Sequence, residues 1–116
     1  MNPKKLVATA LLLASSTASA TDGNTLYEWG TSDSPVEKGL LLGYISGAVE
    51  NGFFQQRSQG LVGENSVVPR YCLPKNATAA QGVDVVVKYL RDHPEERAFA
   101  GAQLVWSAFI KAFPCH

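Results

Sequence analysis

The stretch "YCLPKNATAAQG", residues 71–82, decides how the second half of the chain folds. Thr78 stands three residues before Gln81, which is the spacing of a capping box at the start of a helix. The apolar residues that follow recur at helical spacing: Val83, Val86, Val87 and Leu90. We therefore predict a helix that begins after Thr78.

The run "VDVVVKYL", residues 83–90, also admits a strand, because it is rich in β-branched residues. Asp84 and Lys88 stand four residues apart and carry opposite charges, an arrangement that supports a helix. The cap and the length of the segment point the same way. The helix is the favoured interpretation, and the strand remains its alternative.

Earlier segments carry similar signals. Thr25 and Glu28 have capping-box spacing, and Gly30 is a stop signal, which predicts a short helix. We expect its large apolar residues to hold it on the core: Leu26, Tyr27 and Trp29. Ser34 before Pro35 predicts the start of a longer helix. Its predicted buried stripe is Leu41, Tyr44, Ile45, Ala48, Val49 and Phe53.

A last helix is predicted to begin at Pro94 and to stop at Pro114. Its predicted buried stripe is Ala98, Ala102, Val105, Phe109 and Ala112. With the segments above, this predicts an all-α fold, a small bundle of about four to five helices.

Gly39, Gly43 and Gly47 recur every four residues in the predicted long helix, where each costs about 1 kcal/mol relative to alanine. Three glycines on one side of a helix, each with a loss of helix stability, indicate that another backbone approaches that side closely. A helix of the same chain is the preferred partner, and a second copy of the chain is the alternative.

Residues 56–70, "QRSQGLVGENSVVPR", lack helical period and contain two glycines and a proline, which predicts a long loop. Loops on a rigid scaffold often carry recognition. Gln56, Arg57 and Glu64 are therefore the candidate partner-binding residues.

The first 20 residues, "MNPKKLVATALLLASSTASA", have the order of a secretory signal peptide: lysines, an apolar core and a terminal A-x-A sequence. We expect cleavage after Ala20, which leaves one domain at residues 21–116 with eight basic and ten acidic residues. Because no basic patch remains, nucleic acid is not an expected partner. No second segment is long and apolar enough to suggest membrane attachment after cleavage.

Cys72 precedes the third predicted helix and Cys115 follows the last, so a disulfide between them would staple two antiparallel helices. Such a bond persists in oxidising compartments and stabilises a loop of this length by about 4 kcal/mol. The alternative, a catalytic thiol, needs an activating base that neither His93 nor His116 is placed to supply.

Other chemistry is poorly supported by the sequence. Cys115 and His116 are adjacent but lack the companions that a metal site requires, and His93 before Pro94 is typical of a helix boundary. Glu95 and Glu96 do not form the pattern of a general acid and base. No nucleophile, phosphate-binding or dinucleotide-binding motif occurs. We predict no enzyme activity, no catalytic residues, no metal and no cofactor.

The ordered motifs of residues 71–115 resemble the Rap/Tai family of bacterial immunity proteins. The resemblance rests on a C-x-P turn at Cys72, a T-x-x-Q helix start at Thr78, "PEER" at residues 94–97 and a closing "AFPC" at residues 112–115. "GYISGAVE", residues 43–50, is similar to the first long helix of that family.

The resemblance implies a small helical protein of the bacterial periplasm that binds an amidase effector of a type VI secretion system. It would act by occluding the effector's active site, so that peptidoglycan is not cleaved. Members of the family often associate as dimers, so a homodimer is a further expectation. The alternative function is a periplasmic structural or stress-related binding protein without a toxin partner.

Overall fold

The computed structural model describes residues 20–62 and 70–116. Four α-helices lie in these ranges: α1 (Gly23–Thr31), α2 (Pro35–Val62), α3 (Ala79–Asp92) and α4 (Gly101–Ala112). A short 3-10 turn, Pro94–Glu96, connects α3 to α4. No strand is present in the described residues beyond two isolated bridges. The all-α prediction is therefore confirmed, and the strand alternative for residues 83–90 is wrong. The expected signal peptide lies outside the described residues, apart from Ala20.

Local side-chain caps set two of the helix starts as predicted. The Thr78 hydroxyl accepts a hydrogen bond from the Gln81 amide at 3.1 Å, and the Gln81 side chain accepts one from the Thr78 amide at 2.8 Å. At α2, the Ser34 hydroxyl accepts a weaker bond of 3.5 Å from the Glu37 amide. These bonds satisfy backbone N–H groups that have no partner within the helix.

The first helix begins three residues earlier than predicted. Asp22, not Thr25, is its N-cap: the carboxylate accepts hydrogen bonds from the Thr25 amide at 3.0 Å and from the Thr25 hydroxyl at 3.1 Å. These bonds hold the pKa of the Asp22 carboxyl below its usual value of 3.8. The helix also continues one residue beyond Gly30.

Two other boundaries differ from the prediction. Residues 56–62 were expected in a loop, but α2 continues to Val62. The last helix begins at Gly101 and not at Pro94, because residues 94–96 form the 3-10 turn.

The core is made of side chains from all four helices and from the segment that precedes α3. Its buried members are Leu26, Leu41, Ile45, Tyr71, Val86, Leu90, Leu104, Val105, Ala108 and Phe109. The predicted anchors of α1 are confirmed, since Leu26 is fully buried and Tyr27 and Trp29 pack against the core. In α4 the predicted stripe is partly wrong. Leu104 and Ala108 are buried, whereas Ala98, Ala102 and Ala112 are exposed.

Backbone hydrogen bonds and one disulfide tie the ends of the elements together. The Cys72 amide donates to the Phe113 carbonyl at 2.8 Å, next to the bridge between Tyr71 and Pro114. The Cys72–Cys115 disulfide joins the same two segments, with its Cα atoms 5.0 Å apart. The predicted pairing is confirmed, and it holds the entry of α3 beside the exit of α4.

Candidate functional site

The three predicted partner-binding residues have different positions. Gln56 is half-buried near the C-terminal end of α2, and its side-chain oxygen accepts a hydrogen bond of 3.1 Å from the Tyr71 amide. Arg57 is exposed on the same helix. Glu64 lies outside the described residues. Gln56 therefore fixes the chain where it returns towards α3, and Arg57 is the member of the set whose side chain is open to a partner.

Tyr71 is the buried residue at the point where the chain returns from α2 towards α3. Its ring packs edge-on against Trp106 and Phe109, at centroid distances of 5.2 and 5.3 Å. Its hydroxyl donates a hydrogen bond of 3.3 Å to the Val49 carbonyl, and burial raises the pKa of the Tyr71 hydroxyl. Since both cysteines of the chain are in the disulfide, Cys72 is no free thiol, and the catalytic-thiol alternative is wrong.

The outer side of α2 carries a second apolar stripe, which we call the α2 face. Val36 and Phe54 are the most exposed large apolar residues of the described chain, at 72% and 69%. Along the helix, the stripe consists of Val36, Leu40, Gly43, Gly47 and Phe54, and the exposed polar residues Glu50 and Asn51 interrupt it before Phe54. These positions fall on one side of a helix with 3.6 residues per turn, opposite the buried Leu41 and Ile45.

The glycines of the α2 face have no neighbour in the described chain. A Cβ atom added at Gly39, Gly43 or Gly47 would meet nothing within 4 Å. Contrary to the prediction, no helix of the described residues packs on these glycines. Gly52, on the opposite side of α2, is the glycine that a close contact requires, because a Cβ there would lie 3.0 Å from the Trp106 ring and against the Tyr71 hydroxyl.

The geometry of the α2 face suits a protein partner. From Val36 to Phe54 it is about 27 Å long at 1.5 Å per residue. Its middle, at Gly43 and Gly47, is bare backbone, and its ends are bulky. Large apolar side chains exposed along one side of a helix are a feature of interaction sites. This surface was missed in the sequence because a single buried stripe was assigned to the helix.

A groove of about 240 Å³ lies between α2, the start of α3 and the end of α4. Its apolar lining includes Val49, Leu73, Ala77, Phe109 and Phe113, and its polar lining includes Ser46, Glu50 and Thr78. Since Glu50 also lies on the outer side of α2, the groove adjoins the α2 face. The two surfaces together offer an apolar ridge and a neighbouring depression.

The structure also places the histidines and the charged pair that were considered in the sequence. His93 is the C-terminal cap of α3, as predicted, and its ring stacks on Tyr89 at 4.1 Å. His116 is exposed at the chain end. The predicted Asp84–Lys88 pair does not form, because Lys88 is bonded to Asp92 at 2.8 Å. Among the described residues, no helix is both long and apolar enough to span a membrane.

Comparison with known proteins places the whole described domain in one family. A family model described as Rap1a immunity proteins matches residues 22–115. Comparisons with curated proteins and with solved structures gave no match.

Proposed function

Because the chain belongs to the Rap1a immunity proteins, we propose that it is a periplasmic protein that binds and occludes a peptidoglycan-cleaving amidase of a type VI secretion system. Membership in this family implies a non-enzymatic inhibitor of a type VI effector. The amidase class of the effector and the occlusion of its active site are our proposals.

The α2 face is the observation that supports binding through this domain. An isolated domain gains nothing from exposing Val36 and Phe54 at 72% and 69% on the same line of one helix. A partner that covers them removes apolar surface from water, which is the main favourable term in protein association. We propose that the toxin covers this face and that Arg57 contributes a contact at its edge.

The expected contribution of one residue follows from its exposure. A phenylalanine side chain buries about 150–250 Å² when fully covered. With 69% of that available at Phe54, covering it is worth about 3–4 kcal/mol at about 25 cal/mol per Å². That energy corresponds to about a 100- to 1,000-fold change in Kd.

Occlusion requires no chemistry from this chain. A rigid helix that fills the mouth of the toxin's cleft denies entry to a peptidoglycan strand, and a tight interface keeps it there. The adjoining groove can receive one large apolar side chain of the toxin, which is how anchor residues commonly bind. Gln56 would then act indirectly, by holding the end of α2 in place, and Glu64 remains a proposed contact outside the described residues.

Periplasmic location is proposed from the expected signal peptide at residues 1–20. The Cys72–Cys115 disulfide supports it, because disulfides persist in that compartment.

We also propose that a second copy of the chain can occupy the α2 face when no toxin is bound. Antiparallel pairing about an axis that crosses the α2 face at the level of residue 45 would set Val36 against Phe54 of the second copy. Gly43 would then oppose Gly47 of that copy, where the absence of side chains permits close approach of the backbones. Because one face cannot hold two occupants, added toxin should convert dimers into toxin complexes in light scattering.

The test compares Phe54→Asp with Phe99→Asp, a matched change at a phenylalanine that is 46% exposed away from α2. Each variant is measured for affinity towards the amidase recovered from the native host, and for protection of cells that produce this amidase in the periplasm. Phe54→Asp should weaken binding and protection, and Phe99→Asp should leave both unchanged. Equal affinity of Phe54→Asp and the unmodified chain would show that the toxin binds elsewhere.

A further inference from the structure

The 3-10 turn after α3 gathers three side chains that commonly bind metals. One ring nitrogen of His93 and one carboxylate oxygen each from Glu95 and Glu96 lie within 4.8 Å of one another. His93 ends α3, and the 3-10 turn that follows it carries Glu95 and Glu96, so the chain reversal brings the three side chains together. Pro94 fixes the backbone between them, and the Glu96 amide closes the turn by donating to the His93 carbonyl at 3.1 Å.

The hydrogen bond of His93 determines which ring nitrogen is free. Nδ1 lies 2.8 Å from the Tyr89 carbonyl. A carbonyl oxygen only accepts hydrogen bonds, so Nδ1 carries the hydrogen, and Nε2 of the neutral ring has its lone pair exposed. Histidine ligands of metals typically have this arrangement, with the second nitrogen donating to a carbonyl or carboxylate.

Tyr89 orients the second member of the cluster as well. Its hydroxyl donates to the Glu96 carboxylate at 2.8 Å, and its ring stacks on the His93 ring at 4.1 Å. One residue of α3 therefore restrains both His93 and Glu96, which lowers the conformational cost of bringing them onto one ion.

Lys111 lines a surface pocket beside His93, and two other cations near the cluster are engaged elsewhere in the described residues. Lys88 is paired with Asp92 at 2.8 Å. Arg97 directs its Nε to the Leu90 carbonyl at 2.7 Å and places its guanidinium over the Tyr27 ring at 3.7 Å. Neither Glu95 nor Glu96 forms a salt bridge within these ranges. Two carboxylates beside an imidazole nitrogen therefore offer three donor atoms to a cation.

We propose that His93, Glu95 and Glu96 bind one zinc ion. One nitrogen and two carboxylate oxygens are a ligand set that zinc accepts, and the imidazole argues against magnesium or calcium, which prefer oxygen ligands alone. Three protein ligands leave a fourth position for water or for a donor group of a bound molecule. The site is independent of the toxin interface proposed above.

The experiment titrates zinc chloride into the metal-free purified chain by calorimetry, with bound metal counted after dialysis. One zinc ion should bind per chain. His93→Gln should weaken binding by on the order of 100-fold, and Glu95→Gln and Glu96→Gln should each weaken it clearly. Tyr89→Phe should weaken it by about 10-fold, because it removes the hydrogen bond to Glu96 without removing a ligand.

The matched controls are His116→Gln and Glu28→Gln, which change exposed residues of the same types elsewhere in the chain. Both should bind zinc as the unmodified chain does. Circular dichroism of each metal-free variant checks that the helices persist. Absence of zinc binding by the unmodified chain would overturn the proposal. So would unchanged affinity in a folded His93→Gln, or loss of binding in His116→Gln.

Discussion

Two glycines of α2 should respond to the same substitution with opposite signs. At Gly43 an added methyl group meets nothing within 4 Å, whereas at Gly52 it would lie 3.0 Å from the Trp106 ring and against the Tyr71 hydroxyl. Both positions lie inside the helix, so both gain about 1 kcal/mol of helix propensity on change to alanine. Their difference therefore reports which side of α2 is packed.

The magnitudes follow from these contacts. Gly43→Ala should stabilise the chain by about 1 kcal/mol, which raises Tm by about 4–8 °C in a domain of this size. In Gly52→Ala, overpacking should destabilise the fold by about 1–3 kcal/mol. The variant should also lose about 1 kcal/mol if Tyr71 moves away from the Val49 carbonyl, which now accepts its hydroxyl at 3.3 Å. The net result for Gly52→Ala is a destabilisation of about 1–3 kcal/mol.

Urea denaturation and thermal melting measured by circular dichroism provide the assay. Each melt is repeated at several protein concentrations, because a dimer that used the α2 face would make Tm depend on concentration. A lower, concentration-independent Tm for Gly43→Ala would refute the outward placement of that glycine. A Gly52→Ala variant as stable as Gly43→Ala would refute the packing around Tyr71.

Three further changes test the scaffold. Replacing Cys72 and Cys115 together by serine should destabilise the fold by about 4 kcal/mol and lower Tm by about 15–30 °C. A decrease in Tm of less than about 4 °C would contradict the stabilising role of the disulfide. Thr78→Ala should cost about 1 kcal/mol in urea denaturation through loss of the cap, and Thr78→Ser should largely retain it. The lowered pKa of Asp22 means that its ionised form favours the folded state above about pH 4. This contribution is lost as the pH falls through the lowered pKa. Asp22→Asn should thus reduce stability more at neutral pH than in acid below the lowered pKa, and a loss that does not change with pH would contradict the linkage.

The parts of the fold that were predictable from the sequence depend on short-range chemistry. Thr78 with Gln81, and Ser34 with Pro35, mark helix starts because a cap is made by side chains within three residues of the backbone groups they satisfy. The pairing of Cys72 with Cys115 was predictable because the chain has two cysteines, one on each side of a predicted helix pair.

The extent of α2 depends on a contact that sequence patterns do not reveal. Residues 56–62 have weak helical period, yet Gln56 lies inside the helix and bonds the Tyr71 amide, 15 residues away along the chain. The late start of α4 has a similar cause. The Gly101 amide donates to the Thr21 carbonyl at 2.8 Å, and Asp22 forms an isolated antiparallel β-bridge with Ala100. The segment before α1 therefore fixes where α4 begins.

The buried side of α2 was predictable from the sequence, but the exposure of its opposite side was not. Gly39, Gly43 and Gly47 indicated a close approach, and Val36 and Phe54 continue the same line of the helix. Periodicity correctly assigned Leu41 and Ile45 to the core, but the glycine repeat was expected to pack on a helix of the same chain. No described residue approaches a Cβ atom added at Gly39, Gly43 or Gly47 within 4 Å.

Binding of an amidase is tested by purifying the tagged chain from the periplasm of its native host and identifying the proteins bound to it. We expect a complex of fixed stoichiometry with a peptidoglycan amidase, and this amidase should be inactive in the complex and active after separation. Recovery of the chain alone or only with further copies of itself, or of a bound amidase that still cleaves peptidoglycan, would contradict it.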